Sequence, residues 1–164
     1  MTVSERRTVT AHGIFNTNLK SVIVTASVHH GNTRKVVDAI ANEFEVDIID
    51  ATQVKEKDLS GYDLIGFASG VYGFNLHQSI INFASVNLPV NKKIFLLTTS
   101  AMNKDFSQSF MQAIENKSAT VVGKFSCHGY NTFGPFKLVG GTSKGHPDDK
   151  DIADAIDFYK GLIG

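Results

Sequence analysis

The sequence predicts an α/β domain built on a doubly wound, five-stranded parallel sheet of order 2-1-3-4-5. Three observations predict it. From about residue 20 onward, short apolar runs alternate with segments of helical periodicity. The strand runs are apolar almost throughout, as burial on both faces of a parallel sheet demands. No repeat, linker or composition shift divides the chain, and 164 residues suffice for one core. Such alternation joins parallel strands by right-handed crossovers and places a ligand site at the switch point, beyond strands one and three.

Each element follows from its own residues. Residues 1–19 are polar, with Ile14-Phe15 as the main apolar pair, and read as an arm or an added edge strand. The domain proper spans residues 20–164. Ser21 to Thr25 is a β-branched run bounded by a Gly-bearing loop, hence the first strand. Val36, Val37, Ile40, Ala41 and Phe44 recur at helical spacing between Thr33 and Phe44. Val46 to Asp50 is the second strand, and Thr52 to Leu59 a polar connection with room for a short helix. Leu64 to Ala68 is the third strand, followed by a helix from His77 to Phe83 with Ile80, Ile81 and Phe83 inward. Lys93 to Thr98, a helix from Phe106 to Glu115, and Thr120 to Ser126 complete the alternation. The last helix starts near Pro147. Asp148 and Asp149 suit the positive end of its dipole, and Ile152, Ala155, Ile156, Tyr159 and Leu162 form its apolar stripe. The stretch from His128 to His146 has no helical periodicity, and connections of that length in compact domains serve function or move.

Composition removes several classes. Sixteen basic and 16 acidic residues leave no field of one sign to steer the chain onto nucleic acid or a membrane surface. The apolar runs are too short to cross a bilayer, and Met1 to Arg7 carry charge with no apolar segment behind them, so no secretory signal is expected. One cysteine, Cys127, points to a reducing, cytoplasmic setting. The scattered histidines show no metal-ligand spacing, and no catalytic triad can be assembled.

The loop between the first strand and the first helix, Ser27-Val28-His29-His30-Gly31-Asn32-Thr33, carries the chemistry. Backbone N–H groups at a helix N-terminus, with the dipole behind them, suit an anion. Gly31 allows close approach, Asn32 tolerates a left-handed backbone, and the hydroxyls of Ser27 and Thr33 can donate to phosphate oxygens. His29 and His30 either touch the phosphate or are solvated. The alternative is an ordinary loop with Asn32 or Thr33 as helix cap. The P-loop pattern and the G-x-G-x-x-G spacing are both absent.

A strand followed by Ser27, His29-His30-Gly31-Asn32-Thr33 and a helix resembles the FMN phosphate loop of the flavodoxin family, over about residues 20–163. This loop is one residue longer than the family's usual one between Ser27 and Gly31. The resemblance implies that loops after strands three and four hold the flavin ring. The first of these supplies Ser69, Gly70, Val71 and Tyr72, with Tyr72 the candidate ring contact, Phe74 second, and Gly70 a candidate for a peptide that turns over when flavin N5 is protonated. The second supplies Thr98, Thr99, Ser100 and Asn103 for the pyrimidine edge or ribityl chain, with Ser100 and Asn103 alternatively capping the next helix; Met102 stands where an aromatic is common. Gly129 to Lys137 leaves the same rim and resembles a Gly-Phe-Asp-Thr-Tyr-Gly-Pro segment of a branch that also carries the His-His loop, with Tyr130 or Phe133 nearest the ring.

The implied function is an FMN redox protein carrying electrons between a reductase and an acceptor, as a monomer or weak homodimer. The alternatives are a small FMN-dependent NAD(P)H or quinone reductase, or a flavin-free binding module of the same fold. A receiver domain of this topology needs acids where Ser27 and Ser69 stand. The ring loops carry no Asp or Glu while His77 lies nearby, so the second flavin potential is expected to be less negative than in acidic flavodoxins.

Overall fold

A computed structural model describes residues 7–10, 13–16, 18–27, 31–102, 104–129 and 145–164. The elements in order are β1 (Arg7–Thr10), β2 (Gly13–Asn16), β3 (Ser21–Ala26), α1 (Asn32–Glu43), β4 (Asp47–Asp50), β5 (Leu64–Tyr72) and β6 (Asn75–Leu76), then α2 (Gln78–Asn87), β7 (Lys93–Ser100), α3 (Gln108–Ala113), β8 (Thr120–His128) and α4 (Asp149–Ile163).

The main sheet runs β4-β3-β5-β7-β8, all parallel. Counted along the chain, that is the 2-1-3-4-5 order of the sequence reading. The two-residue β6 turns back antiparallel on the end of β5. Within the N-terminal segment β1 and β2 pair with each other in a separate two-stranded sheet.

The pleat divides the core into two layers. Val22, Val24, Ile65, Phe67, Ile94 and Leu96 face α2 and α3, with Phe67 packed on Phe110 at 5.0 Å between ring centroids. Ile23, Leu64, Ala68, Phe95 and Leu97 face α1 and α4, where Tyr159 sits 5.0 Å from Phe44 and 5.8 Å from Phe95. β3 is buried along its whole length, which explains its unbroken apolar character. Each such large side chain contributes about 1.5–3 kcal/mol on leaving water.

β8 differs. Its residues alternate between half-buried and exposed, because α4 covers one face only. Gly123 lets Phe158 and Leu162 of α4 approach the strand. The six-residue α3 is too short to cover the other face.

Three strands extend past their apolar runs. β5 continues to Tyr72, β7 to Ser100 and β8 to His128, held by ladder pairs such as Gly70 with Thr99 and Thr99 with Cys127. Small polar residues carry no hydrophobic signal, yet their backbones pair as well as any. Residues 52–59, read as a polar connection with room for a short helix, open in a turn and contain no helix.

Candidate functional site

The carboxyl ends of β3, β5, β7 and β8 meet at one rim. From β3 the chain passes Ser27 and returns at Gly31, whose backbone is left-handed at φ 65°. Val28, His29 and His30 lie outside the described residues, as do Asn103, Tyr130 and Phe133. Helix α1 opens with Asn32 and Thr33 buried in its first turn. Gly31 brings no capping side chain and the first turn holds no acid, so the positive end of α1 has no carboxylate of its own. Helix α4 begins at the same rim in the opposite condition. Asp148 caps it in a reciprocal capping box with Asp151, and Asp149 adds a further charge.

Two contacts fix the α1 end against the sheet. Thr33 Oγ1 and Thr99 Oγ1 share a buried hydrogen bond of 2.8 Å. Gly129, just past β8, packs so close to Asn32 that a Cβ there would stand 2.8 Å from the Asn32 amide nitrogen. Its own N–H donates to the Ser100 carbonyl at 3.2 Å, which holds the strand end in place. On the α1 face of β3, two residues before Ser27, Thr25 is 1% exposed and its hydroxyl has no hydrogen-bond partner among the described residues. A buried orphan hydroxyl costs free energy until a ligand or water satisfies it.

The β5 end forms the next wall. Ser69 is fully buried; its hydroxyl donates to the Gly70 carbonyl at 2.7 Å and accepts from the His77 N–H at 2.9 Å. Ser69 therefore staples the base of the hairpin, and Val71 leans on the core. Gly70 lies in the ladder, with the tip of Tyr72 folded back over it: a Cβ on Gly70 would meet the Tyr72 oxygen at 2.9 Å. The left-handed backbone belongs to the two turn residues, Gly73 at φ 58° and Phe74 at φ 65°, the signature of a type I′ hairpin. Glycine adopts that conformation freely and phenylalanine does not. Tyr72 meets His77 edge to face at 5.1 Å, and Phe74 is 71% exposed.

His77 caps α2. Its Nδ1 accepts from the Ser79 N–H and bonds the Ser79 hydroxyl at 2.7 Å. Burial first, and then the charge of Lys55, hold its pKa below the ordinary value, so the ring is neutral.

In β7, alternation separates neighbours. Thr99 turns to α1, whereas Thr98 faces the other layer, donates weakly toward the Phe125 carbonyl at 3.5 Å, and lines a shallow groove. The Ser100 hydroxyl accepts from the Met102 N–H and shapes the following turn. The rim therefore gathers Gly31, Asn32, Thr33, Thr99 and Gly129 around the α1 end, with Tyr72 on the adjoining wall. Sequence reasoning missed Thr25, Gly73 and the contact of Gly129 with Asn32; the Gly73-Phe74 pair was the one legible signal, as a glycine-bearing turn between β-rich runs.

Beside the α1 end, His146 Nδ1 bonds Asp151 at 2.6 Å, and its ring lies 5.8 Å from His128. The Asp151 contact raises the His146 pKa. His146, Asp148 and Asp151 are close enough to hold a metal ion, but their hydrogen bonds are spent on each other in capping α4. Cys127 is pushed up to about 12, chiefly by burial, and stays a thiol.

A helix N-terminus without a side-chain cap at the switch point, walled by a tight hairpin and a hydroxyl-bearing strand end, defines a doubly wound α/β protein. The chain belongs to the flavodoxin family. The family's model, described as a flavodoxin domain, matches residues 22–132. An uncharacterized protein of Methanocaldococcus jannaschii is 36% identical over 148 residues, covering 88% of this chain and 99% of that one. Among solved structures, a Streptococcus pneumoniae flavodoxin superposes with TM-score 0.61 at 20% identity, covering 87% of this chain and 96% of the other. An FMN-dependent NADH-azoreductase from Bacillus anthracis, solved with FMN, gives TM-score 0.57 at 6% identity, covering 89% and 100%. No helix among the described residues is long and apolar enough to cross a membrane.

Proposed function

We propose that this chain binds FMN non-covalently at the rim and carries electrons between partner proteins in the cytoplasm. The observation that carries the reading is the open α1 end at the switch point, with neither a capping side chain nor an acid in its first turn. The first-turn amides of α1 and the orphan hydroxyl of Thr25 suit the phosphate. Thr33 and Thr99 act as a pair: one hydroxyl donates to the other, and the accepting one keeps its own proton to donate to a ligand. Tyr72 supplies the aromatic wall, and the hairpin brings backbone groups toward the ring edge. Ser27, His29, His30, Ser100 and Asn103 complete the proposed contact set, while Ser69 and Val71 support it from behind. Bound FMN would supply one- and two-electron chemistry.

The family membership supports this reading, since flavodoxins generally pass electrons to protein partners. The azoreductase likeness rests on fold alone. A self-sufficient NAD(P)H or quinone reductase remains the alternative, and oxidation of NADH by the FMN-loaded chain without a partner would favour it.

The test is a fluorescence-quenching titration of the apoprotein with FMN and with riboflavin. FMN should bind at least tenfold more tightly, because only FMN carries the dianion that the α1 end accepts. Equal affinities would place the phosphate elsewhere, and no binding of either ligand to folded protein would leave a flavin-free module.

A further inference from the structure

We propose that the surface formed by Phe74, Met102, Lys104, Phe106 and Lys124 docks an acidic partner protein; this rests on the reading above that the rim serves protein partners. The surface is continuous. The Phe74 ring lies 6.3 Å from that of Phe106, and Lys104 Nζ stands 5.9 Å from the Phe106 centroid. Beyond them a cavity of about 280 Å³ opens on the uncovered face of β7 and β8, lined by Leu96, Thr98, Lys104, Asp105, Ser107 and Lys124 among others. That volume fits a protruding side chain better than a cofactor.

Phe74 is the principal observation. It is a bulky residue in left-handed backbone, and 71% of it is in water. Both features are unfavourable, and one tilted contact with Phe106 offsets little of either. Strained and exposed residues of this kind concentrate where something binds. Met102, 40% exposed, extends the apolar area on the same rim. By contrast, the exposed Val86 and Val90 lie at the opposite rim, where α2 ends and β7 begins.

Charge selects the partner. Lys124 is bound to Asp105 at 3.0 Å and to Ser107 at 3.1 Å, so these two charges cancel. Lys104 has no ion pair among the described residues, which leaves the patch one charge positive. The other acids of this rim stand at the end of β4, as Asp50, and at the start of α4, as Asp148, Asp149 and Asp151. An aromatic anchor rimmed by lysine matches a surface bearing carboxylates.

The probes are an acidic plant-type [2Fe–2S] ferredoxin and, in parallel, basic cytochrome c, each titrated into 15N-labelled protein in apo and FMN-loaded form. We expect ferredoxin to shift the amide signals of Phe74, Met102, Lys104, Phe106 and Lys124 at low salt, and the shifts to fade in 0.5 M salt. Lys104→Glu should weaken binding about tenfold, and Phe74→Asn several-fold, with α4 signals unchanged as the check on folding. Shifts at this patch with cytochrome c alone, shifts confined to another face, or no response to ferredoxin would overturn the proposal. Docking in the apo form is read without flavin, so failure to bind FMN is distinguishable from failure of the surface.

Discussion

Phe74 shows how one residue can set the state of a turn. Rotating the peptide between Gly73 and Phe74 converts a type I′ into a type II′ turn and returns Phe74 to negative φ. Gly73 keeps its positive φ in both forms, so the turnover would cost no strain at the glycine. Phe74→Asn, which tolerates the left-handed conformation, should raise stability by about 0.5–1 kcal/mol in chemical denaturation. His77 provides a second residue-scale expectation. Its folded pKa is depressed by burial and then by Lys55, so its contribution to stability is present above the ordinary value of 6.5 and is lost as pH falls below it. Protonation would also take the Nδ1 lone pair from the Ser79 amide. Urea unfolding midpoints should fall between pH 7.5 and 5, and His77→Asn, which can still cap the helix, should flatten that dependence.

Elements were more legible than their ends. β3 and the start of β5 declared themselves because unbroken burial leaves an unbroken apolar run. The last four residues of β5 and the ends of β7 and β8 did not, because Ser69, Gly70, Thr99 and Ser100 carry ladder bonds without an apolar signature. The site divides in the same way. Gly31-Asn32-Thr33 was readable from composition beside a strand and a helix. That Thr98 and Thr99 face opposite layers follows from the pleat, but only once the strand is known to continue through them. The contact of Gly129 with Asn32 joins residues 97 apart in sequence and left no local trace. Gly129→Ala should displace the Asn32 amide and weaken FMN binding about tenfold, near 1.4 kcal/mol, measured by the same quenching titration. Unchanged affinity would show that Asn32 has room to move.

At the scale of the molecule, the flavin loops are nearly free of charge. Between Ser69 and His77, and between Thr98 and Met102, there is no acid, and His77 is neutral. Without the repulsion that an acidic surface exerts on a reduced, anionic ring, the second flavin couple should lie at a less negative potential than in acidic flavodoxins. Anaerobic potentiometry decides it, and an equally low second couple would contradict the electrostatic argument. The two helices that reach this rim side by side extend the same logic. α4 satisfies its positive pole with its own aspartates, while α1 leaves its pole open. Under the function proposed above, the single phosphoryl group of a mononucleotide would meet the open α1 end, whereas the second phosphoryl group of a dinucleotide would have the carboxylates at the start of α4 for neighbours.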